Sequence, residues 1–273
     1  MQGIIKPSIA IGPMKQAPTI SLSELYHENT KLHPLTAAES GLVPLATYTA
    51  EEKQAMSRAY KQYPSASRVK LPEIDKSSAS NVLFDDVILS RRSVRNFTDA
   101  ELGVNDLSKI LYQSYGITEK TAIPGGGSQF FRSAPSAGAL YPAEIYLGIR
   151  RVTGLSKGIY HYKVLGHELE LLIPGDPTDQ LYSICCQQEY VRQVSVVILI
   201  SGVLQRTKRK YGERGYRLVF LDVGHLGQNI YLACTALGLS VMTTCGFFDD
   251  EANQLLRLDG VDETMLYVAF VGK

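Results

Sequence analysis

The sequence predicts an α+β fold in which helices pack on a sheet, and three observations predict it. Residues 194–200 form an apolar run broken only by Ser195, the pattern of a strand covered on both faces. Shorter β-branched and aromatic runs flank it, and segments with apolar residues at helical spacing fall between them. No internal repeat or low-complexity segment points to a solenoid.

Residues 1–80 hold seven of the 12 prolines and only a short helical candidate over 51–60, so they read as an extended, partly wrapped arm. A second regime, the domain over residues 81–273, opens near Asn81. Leu83, Phe84, Val87 and Ile88 recur at helical spacing and lead into Arg91-Arg92-Ser93-Val94-Arg95, while Leu107, Ile110, Leu111 and Ser114 mark another helix. Pro124-Gly125-Gly126-Gly127 reads as a mobile loop. Residues 144–149 read as a strand, and 159–162 with 168–173 as a hairpin about Gly166-His167. The run at 194–200 is expected to be central. Val223, Leu226, Ile230, Ala233 and Leu237 mark one face of a helix closed by Gly238. Strands over 240–243 and 265–271 follow, with a helix starting near Asp249 or Asp250 between them.

The 273 residues carry 28 Lys+Arg against 27 Asp+Glu, a formal charge of +1. Nucleic-acid and anionic-membrane binders need a basic excess to displace counterions, so the balance argues against both and points to small or neutral partners. No stretch approaches the roughly 20 apolar residues of a membrane span, and residues 1–21 lack the order of a signal peptide. A cytoplasmic enzyme is the default. The four cysteines form no C-x-x-C and the five histidines no H-x-x-x-H pair, so neither a metal site nor a disulfide framework is expected. There is no G-x-G-x-x-G, and the glycine triplet lacks the Lys-Ser/Thr of a phosphate loop.

Four constellations remain. Arg91, Arg92, Ser93 and Arg95 can bind a phosphate by forked, charge-assisted hydrogen bonds, or simply complement a helix C-terminus. Pro135-Ser136-Ala137-Gly138-Ala139-Leu140-Tyr141-Pro142 would let backbone approach a flat ligand, or form a plain turn. The segment 206–217 carries six basic residues and two tyrosines and reads as a basic surface or an exposed loop. Last comes a glycine turn at Cys245-Gly246 before a helix, where backbone N–H groups can face a ligand; Cys245 itself, like the other cysteines, reads as a small hydrophobe.

In this order, R-R-S-V-R, P-S-A-G-A-L-Y-P-A-E, G-I-Y-H-Y, K-Y-G-E-R-G-Y-R, G-H-L-G-Q-N-I-Y-L-A and C-G-F-F-D-D resemble the nitroreductase-like flavoproteins, and within them the SagB-type (McbC-like) azoline dehydrogenases. The resemblance runs over residues 70–273, and His27-Glu28-Asn29-Thr30-Lys31 resembles a piece of the N-terminal extension of such proteins. It implies a nitroreductase-like fold with a mixed, mainly antiparallel sheet flanked by helices. It further implies an intertwined homodimer with FMN at the subunit interface and the arm wrapped on the partner. Arg91, Arg92, Ser93 and Arg95 would hold the FMN phosphate and ribityl chain. Pro135, Ser136, Ala137 and Gly138 would lie against the isoalloxazine, and the backbone of Cys245 and Gly246 would donate near N5, the hydride acceptor. One departure is that only Arg257 stands near the C-terminus, where nitroreductases place further phosphate ligands.

Lys210-Tyr211 is the feature that resembles the azoline oxidisers specifically. Turning a thiazoline or oxazoline into a thiazole or oxazole removes a ring proton as hydride leaves to the flavin, so a base must face the substrate. Tyr211 is favoured, with Lys210 perturbing it or binding substrate, and the reverse assignment stays open. Adjacent residues on a regular helix or strand diverge, so the segment must be irregular, which Gly212 permits. The expected substrate is an azoline-bearing peptide or carrier-bound intermediate, with a cyclodehydratase or synthetase as partner and dioxygen as final oxidant. The alternatives are an NAD(P)H-dependent nitro- or quinone reductase on the same fold and a non-catalytic subunit of a heterocyclase complex.

Overall fold

Apolar residues at period two and period 3.6 divide the chain into strands and helices, seen in a computed structural model that describes residues 21–34, 41–57, 60–74, 82–123 and 127–273. In chain order these are α1 (Leu22–Asn29), α2 (Ala50–Ser57), β1 (Ser67–Lys70), α3 (Phe84–Ser90), β2 (Leu102–Gly103), α4 (Val104–Tyr115), β3 (Ile117–Ala122), β4 (Ser128–Arg132), β5 (Ala143–Ile149), β6 (Val152–Thr153), β7 (Gly158–Lys163), β8 (Glu168–Pro174), α5 (Thr178–Ile184), β9 (Val196–Val203), α6 (Leu204–Tyr211), α7 (Arg214–Ala236), β10 (Ser240–Thr244), α8 (Asp249–Leu256) and β11 (Glu263–Gly272). The loop expected at 124–127 lies outside the described residues apart from Gly127.

Seven strands form one sheet in the order β1-β8-β7-β5-β9-β11-β10, each neighbouring pair antiparallel. The parallel pairing lies apart, between β2 and β6, and β3 with β4 makes a separate hairpin. The apolar run at 194–200 becomes β9, inside the sheet between β5 and β11, and its residues from Val196 to Gly202 are buried. One sheet face packs under α4 and α7 through Leu107, Ile110, Leu111, Val223, Leu226 and Ile230. The other packs under α5 and α8 through Leu181, Ile184, Ala252 and Leu256. Both faces of the central strands are thus dry, which explains why they read as continuous apolar runs rather than alternating ones. Among the described residues no helix is long and apolar enough to cross a membrane.

The 206–217 segment departs from the exposed-loop reading: it is the helix α6, a glycine break and the start of α7. Its periodicity was hidden because the buried positions of α6 include Arg206 and Thr207, polar residues that carry no apolar signal. At Gly212 the backbone takes φ 57° and ψ −148°, a conformation open essentially to glycine alone, so this residue ends α6 and redirects the chain. The arm also joins the fold. Strand β1 adds an edge to the sheet through β8, and Leu71 is buried in the core.

Gly202 of β9 leaves room for the α7 side of the core, since a Cβ there would stand 2.5 Å from Leu266 Cδ1 and 2.8 Å from Val219 Cγ1. Gly202→Ala should therefore destabilise the protein by about 1–3 kcal/mol, read as a lower denaturation midpoint at unchanged slope. An unchanged midpoint would show that the core yields there without cost.

Candidate active site

Residues 135–142 connect β4 to β5 in a conformation that the chain would not choose unaided. Gly138, Ala139 and Tyr141 have positive φ of 63°, 53° and 46°, which for the non-glycine residues is a strained, left-handed backbone. The strain is held by a local network. Ser136 Oγ accepts from Tyr141 N at 2.8 Å and donates to Asp222 Oδ2 at 2.5 Å, and Ala137 N donates to Asp222 Oδ1 at 3.2 Å. Asp222 comes from α7, so the long helix fixes the loop. Burial raises the Asp222 carboxyl above its usual value, and the donors from Ser136 and Ala137 offset this only in part. Pro135 and Gly138 stay exposed at the loop's outer edge.

Lys210 and Tyr211 converge on that edge. A Cβ placed on Gly138 would stand 2.7 Å from both Lys210 Nζ and Tyr211 Oη, and Lys210 Nζ lies 5.2 Å from the centre of the Tyr211 ring. The two adjacent side chains meet at one point because they sit on the last turn of α6, at the Gly212 break. The carbonyls of this turn have no partners further along the helix, and they are satisfied from outside. Lys208 O accepts from Gly212 N at 2.8 Å, Lys210 O from Val43 N at 2.8 Å, and Arg209 O from Tyr48 Oη at 3.1 Å. The segment about Val43 thus braces the turn that carries the pair. Tyr26 and Thr30, within or beside the His27–Lys31 motif, brace the following helix through Glu213, Arg214 and Arg217.

The cationic segment lies elsewhere on the same frame. Val94 N donates to Val241 O at 2.9 Å, tying the segment to β10. Tyr231 Oη of α7 bonds Ser93 Oγ at 2.8 Å and accepts from Thr243 N at 3.0 Å, while Arg91 stacks over the Tyr231 ring at 5.1 Å. Burial alone would raise the Tyr231 phenol, but the Ser93 and Thr243 hydrogen bonds, with Arg91 nearby, lower it. Arg92 turns back to cap α3, donating to Leu89 O and Arg91 O at 3.0 and 2.8 Å. Beyond β10, Gly246 N donates to Thr244 Oγ1 at 2.9 Å, and the Cys245 thiol, raised by burial and by Asp249, donates to Leu266 O at 3.7 Å.

Two half-sites result, and both are anchored to α7. Asp222 holds the 135–142 loop and Tyr231 holds Ser93 with β10, nine residues or about 13 Å further along the axis. Sequence patterning missed both anchors, because a buried acid and phenol on an apolar helix face give no periodic signal. The residues suit an FMN molecule in chemistry. Among the described residues neither Arg91 nor Arg95 has an ion-pair partner, which leaves two guanidinium groups uncommitted for a phosphate. The exposed Gly138 offers bare backbone to a flat ring. Gly246 fits less simply, since its N–H is already engaged.

Comparison with known proteins agrees with this architecture. A model of the nitroreductase family matches residues 88–273. MJ1384 of Methanocaldococcus jannaschii, named as a nitroreductase, is 34% identical over 190 residues, covering 70% of this chain and 89% of its own. The microcin B17-processing protein McbC of Escherichia coli is 27% identical over 184 residues, covering 65% of each chain. Among solved structures, a nitroreductase-named protein of Anabaena variabilis superposes with a TM-score of 0.73 at 27% identity, over 93% of this chain and 46% of that one. A chain of the E. coli microcin synthetase McbBCD complex with truncated pro-MccB17 superposes with a TM-score of 0.57 at 23% identity, over 92% and 91%.

Because the folded Asp222 carboxyl titrates above its unfolded value of 3.8, its protonated form is the one folding favours. The stability advantage of wild type over Asp222→Asn should therefore fall as pH rises from below 3.8 through the raised value, then level off. Denaturant titrations across that range check it, and an advantage that grows with pH would contradict the burial argument.

Proposed function

The chain belongs to the nitroreductase family, and from that premise we propose that it is an FMN-dependent dehydrogenase that oxidises thiazoline or oxazoline rings of a peptide natural product to thiazole or oxazole. The observation that carries the proposal is the meeting of Lys210 Nζ and Tyr211 Oη at Gly138. A reductase fed by NAD(P)H needs no base over its ring site, whereas aromatising an azoline requires one to take the ring proton. Residues 81–273 would form the catalytic domain, with the arm over residues 1–80 as its brace. The names of McbC and of the McbBCD complex with truncated pro-MccB17 support a peptide substrate and a synthetase partner.

When bound, FMN would supply the hydride acceptor, with dioxygen taking the electrons onward. The chain's own residues do the rest. Tyr211 takes the proton from the ring carbon, and Lys210 holds the phenol and the substrate in line. Gly138 presents bare backbone so that the ring system approaches both groups. Arg91 and Arg95, with Ser93 between them, hold the phosphate, and at the reacting edge the Cys245 N–H offers a backbone donor, with the Gly246 N–H released from Thr244 Oγ1 to join it.

A homodimer completes the site. Tyr216, Phe220 and Leu221 are exposed on α7, and α3 exposes Phe84 and Leu89. Gly224, in the middle of α7, has nothing among the described residues within 4 Å of where a Cβ would be. Glycine costs about 1 kcal/mol there against alanine, and nothing among the described residues calls for it; a second copy lying close on this face would. Such contact would set the cationic half-site of one copy beside the loop half-site of its partner.

Lys210→Ala and Tyr211→Phe should each keep the fold and bound flavin yet lose azoline oxidation by about 100-fold or more, followed by mass spectrometry of the peptide. Full activity in both, or rapid reduction by NADH with turnover of nitroaromatics, would instead support the reductase reading. Leu221→Asp should convert a dimer into a flavin-poor monomer by light scattering and absorbance. A wild-type monomer that retains flavin would contradict the shared site.

A further inference from the structure

We infer that Arg206 and Glu144 are positioning residues for Lys210 and Tyr211, locking helix α6 and the 135–142 loop into one frame. This rests on the dyad reading above. Arg206 lies one helical turn before Lys210, on the same face of α6. Its side chain is 9% exposed and that of Glu144 4%, burial that charged groups rarely show unless paired. Arg206 Nη1 stands 2.5 Å from Glu144 Oε1, an ionic contact poorly aligned for a hydrogen bond, and donates to Tyr141 O at 3.1 Å. Tyr141 is three residues from Gly138 and sits in the strained part of the loop. One guanidinium therefore touches the loop, strand β5 and the helix bearing the dyad.

Glu144 is itself held from behind. Its Oε2 faces His161 Nε2 at 2.9 Å, and His161 Nδ1 faces Glu170 Oε2 at 3.0 Å. Tyr63 N donates to the same Glu170 oxygen at 3.1 Å. The sheet sets this row, because Tyr146 pairs with His161 and His161 with Glu170 in register, and Glu144 lies two residues from Tyr146 on the same face. Burial would raise the Glu144 carboxyl, but Arg206 and His161 outweigh it and hold it well below the usual carboxylate range. The pair is thus charged on both sides and cannot slide apart without stranding a charge in the core. No direct contact joins Glu144 or Arg206 to the side chains of the dyad in the hydrogen bonds and ion pairs among the described residues, so their action runs through the frame.

The test uses Arg206→Lys and Glu144→Gln in the full chain, each keeping approximate shape while breaking the geometry. Acylation of Lys210 by an activated acetyl ester, read by peptide mass spectrometry against the exposed Lys70, reports dyad geometry without azoline turnover. Both variants should fold and bind flavin, acylate Lys210 several-fold faster, and lose azoline oxidation roughly 100-fold. In a Lys210→Ala background, Arg206→Lys should cost nothing further, since residues acting through one group are not additive. Unchanged Lys210 acylation, or a fully additive loss, overturns the inference. If a single variant fails to fold, Arg206→Met with Glu144→Leu removes both charges together and carries the same readings. A wild type that never oxidises an azoline, with acylation still responsive, retires the reaction and leaves the positioning role standing.

Discussion

The interaction on which the rest of the structure depends is the buried contact between Glu144 and Arg206. Two opposite charges set in the interior must stay together, because either alone would be a desolvated ion. That requirement fixes where α6 lies on the sheet. It then fixes the last turn of α6, and with it the approach of Lys210 and Tyr211 to the loop at Gly138. Apolar packing specifies which faces are buried but tolerates small slides. A paired charge, backed by His161 and Glu170, tolerates far less.

Helix α7 performs the matching task along a second direction. Its apolar face packs on the sheet, while Asp222 and Tyr231 leave that face to hold two loops about 13 Å apart along the axis. Each anchor is itself shifted by its surroundings, the carboxyl upward and the phenol downward. The remaining exposed stripe of α7 carries aromatic and aliphatic residues that a solvated helix would not need. Fold, half-sites and the proposed association surface thus share one element.

Much of this was legible in the residues. The strands over 143–149, 158–163, 168–174 and 240–244 fall within a residue or two of where their β-branched and aromatic content puts them, and the helix closed by Gly238 ends at Ala236. The family was legible too, because its motifs are contiguous strings. What escaped was set by contacts distant in sequence. Helix α6 was invisible because its inward positions include Arg206, and the polar row of Glu144, His161 and Glu170 was invisible because its members lie on three different strands. Only cross-strand register brings them side by side. The convergence of adjacent Lys210 and Tyr211 could be posed from Gly212, but it took the fold to show Gly138 as the meeting point.

On the proposed function, this frame removes hydrogen from an azoline and needs no nicotinamide to do so. The most direct measurement mixes the oxidised, flavin-loaded protein with an azoline-bearing peptide in the absence of dioxygen and of NAD(P)H. The bound flavin should bleach in step with loss of two hydrogens from the peptide. A flavin that stays oxidised with the peptide, yet bleaches at once on adding NADH, would contradict it.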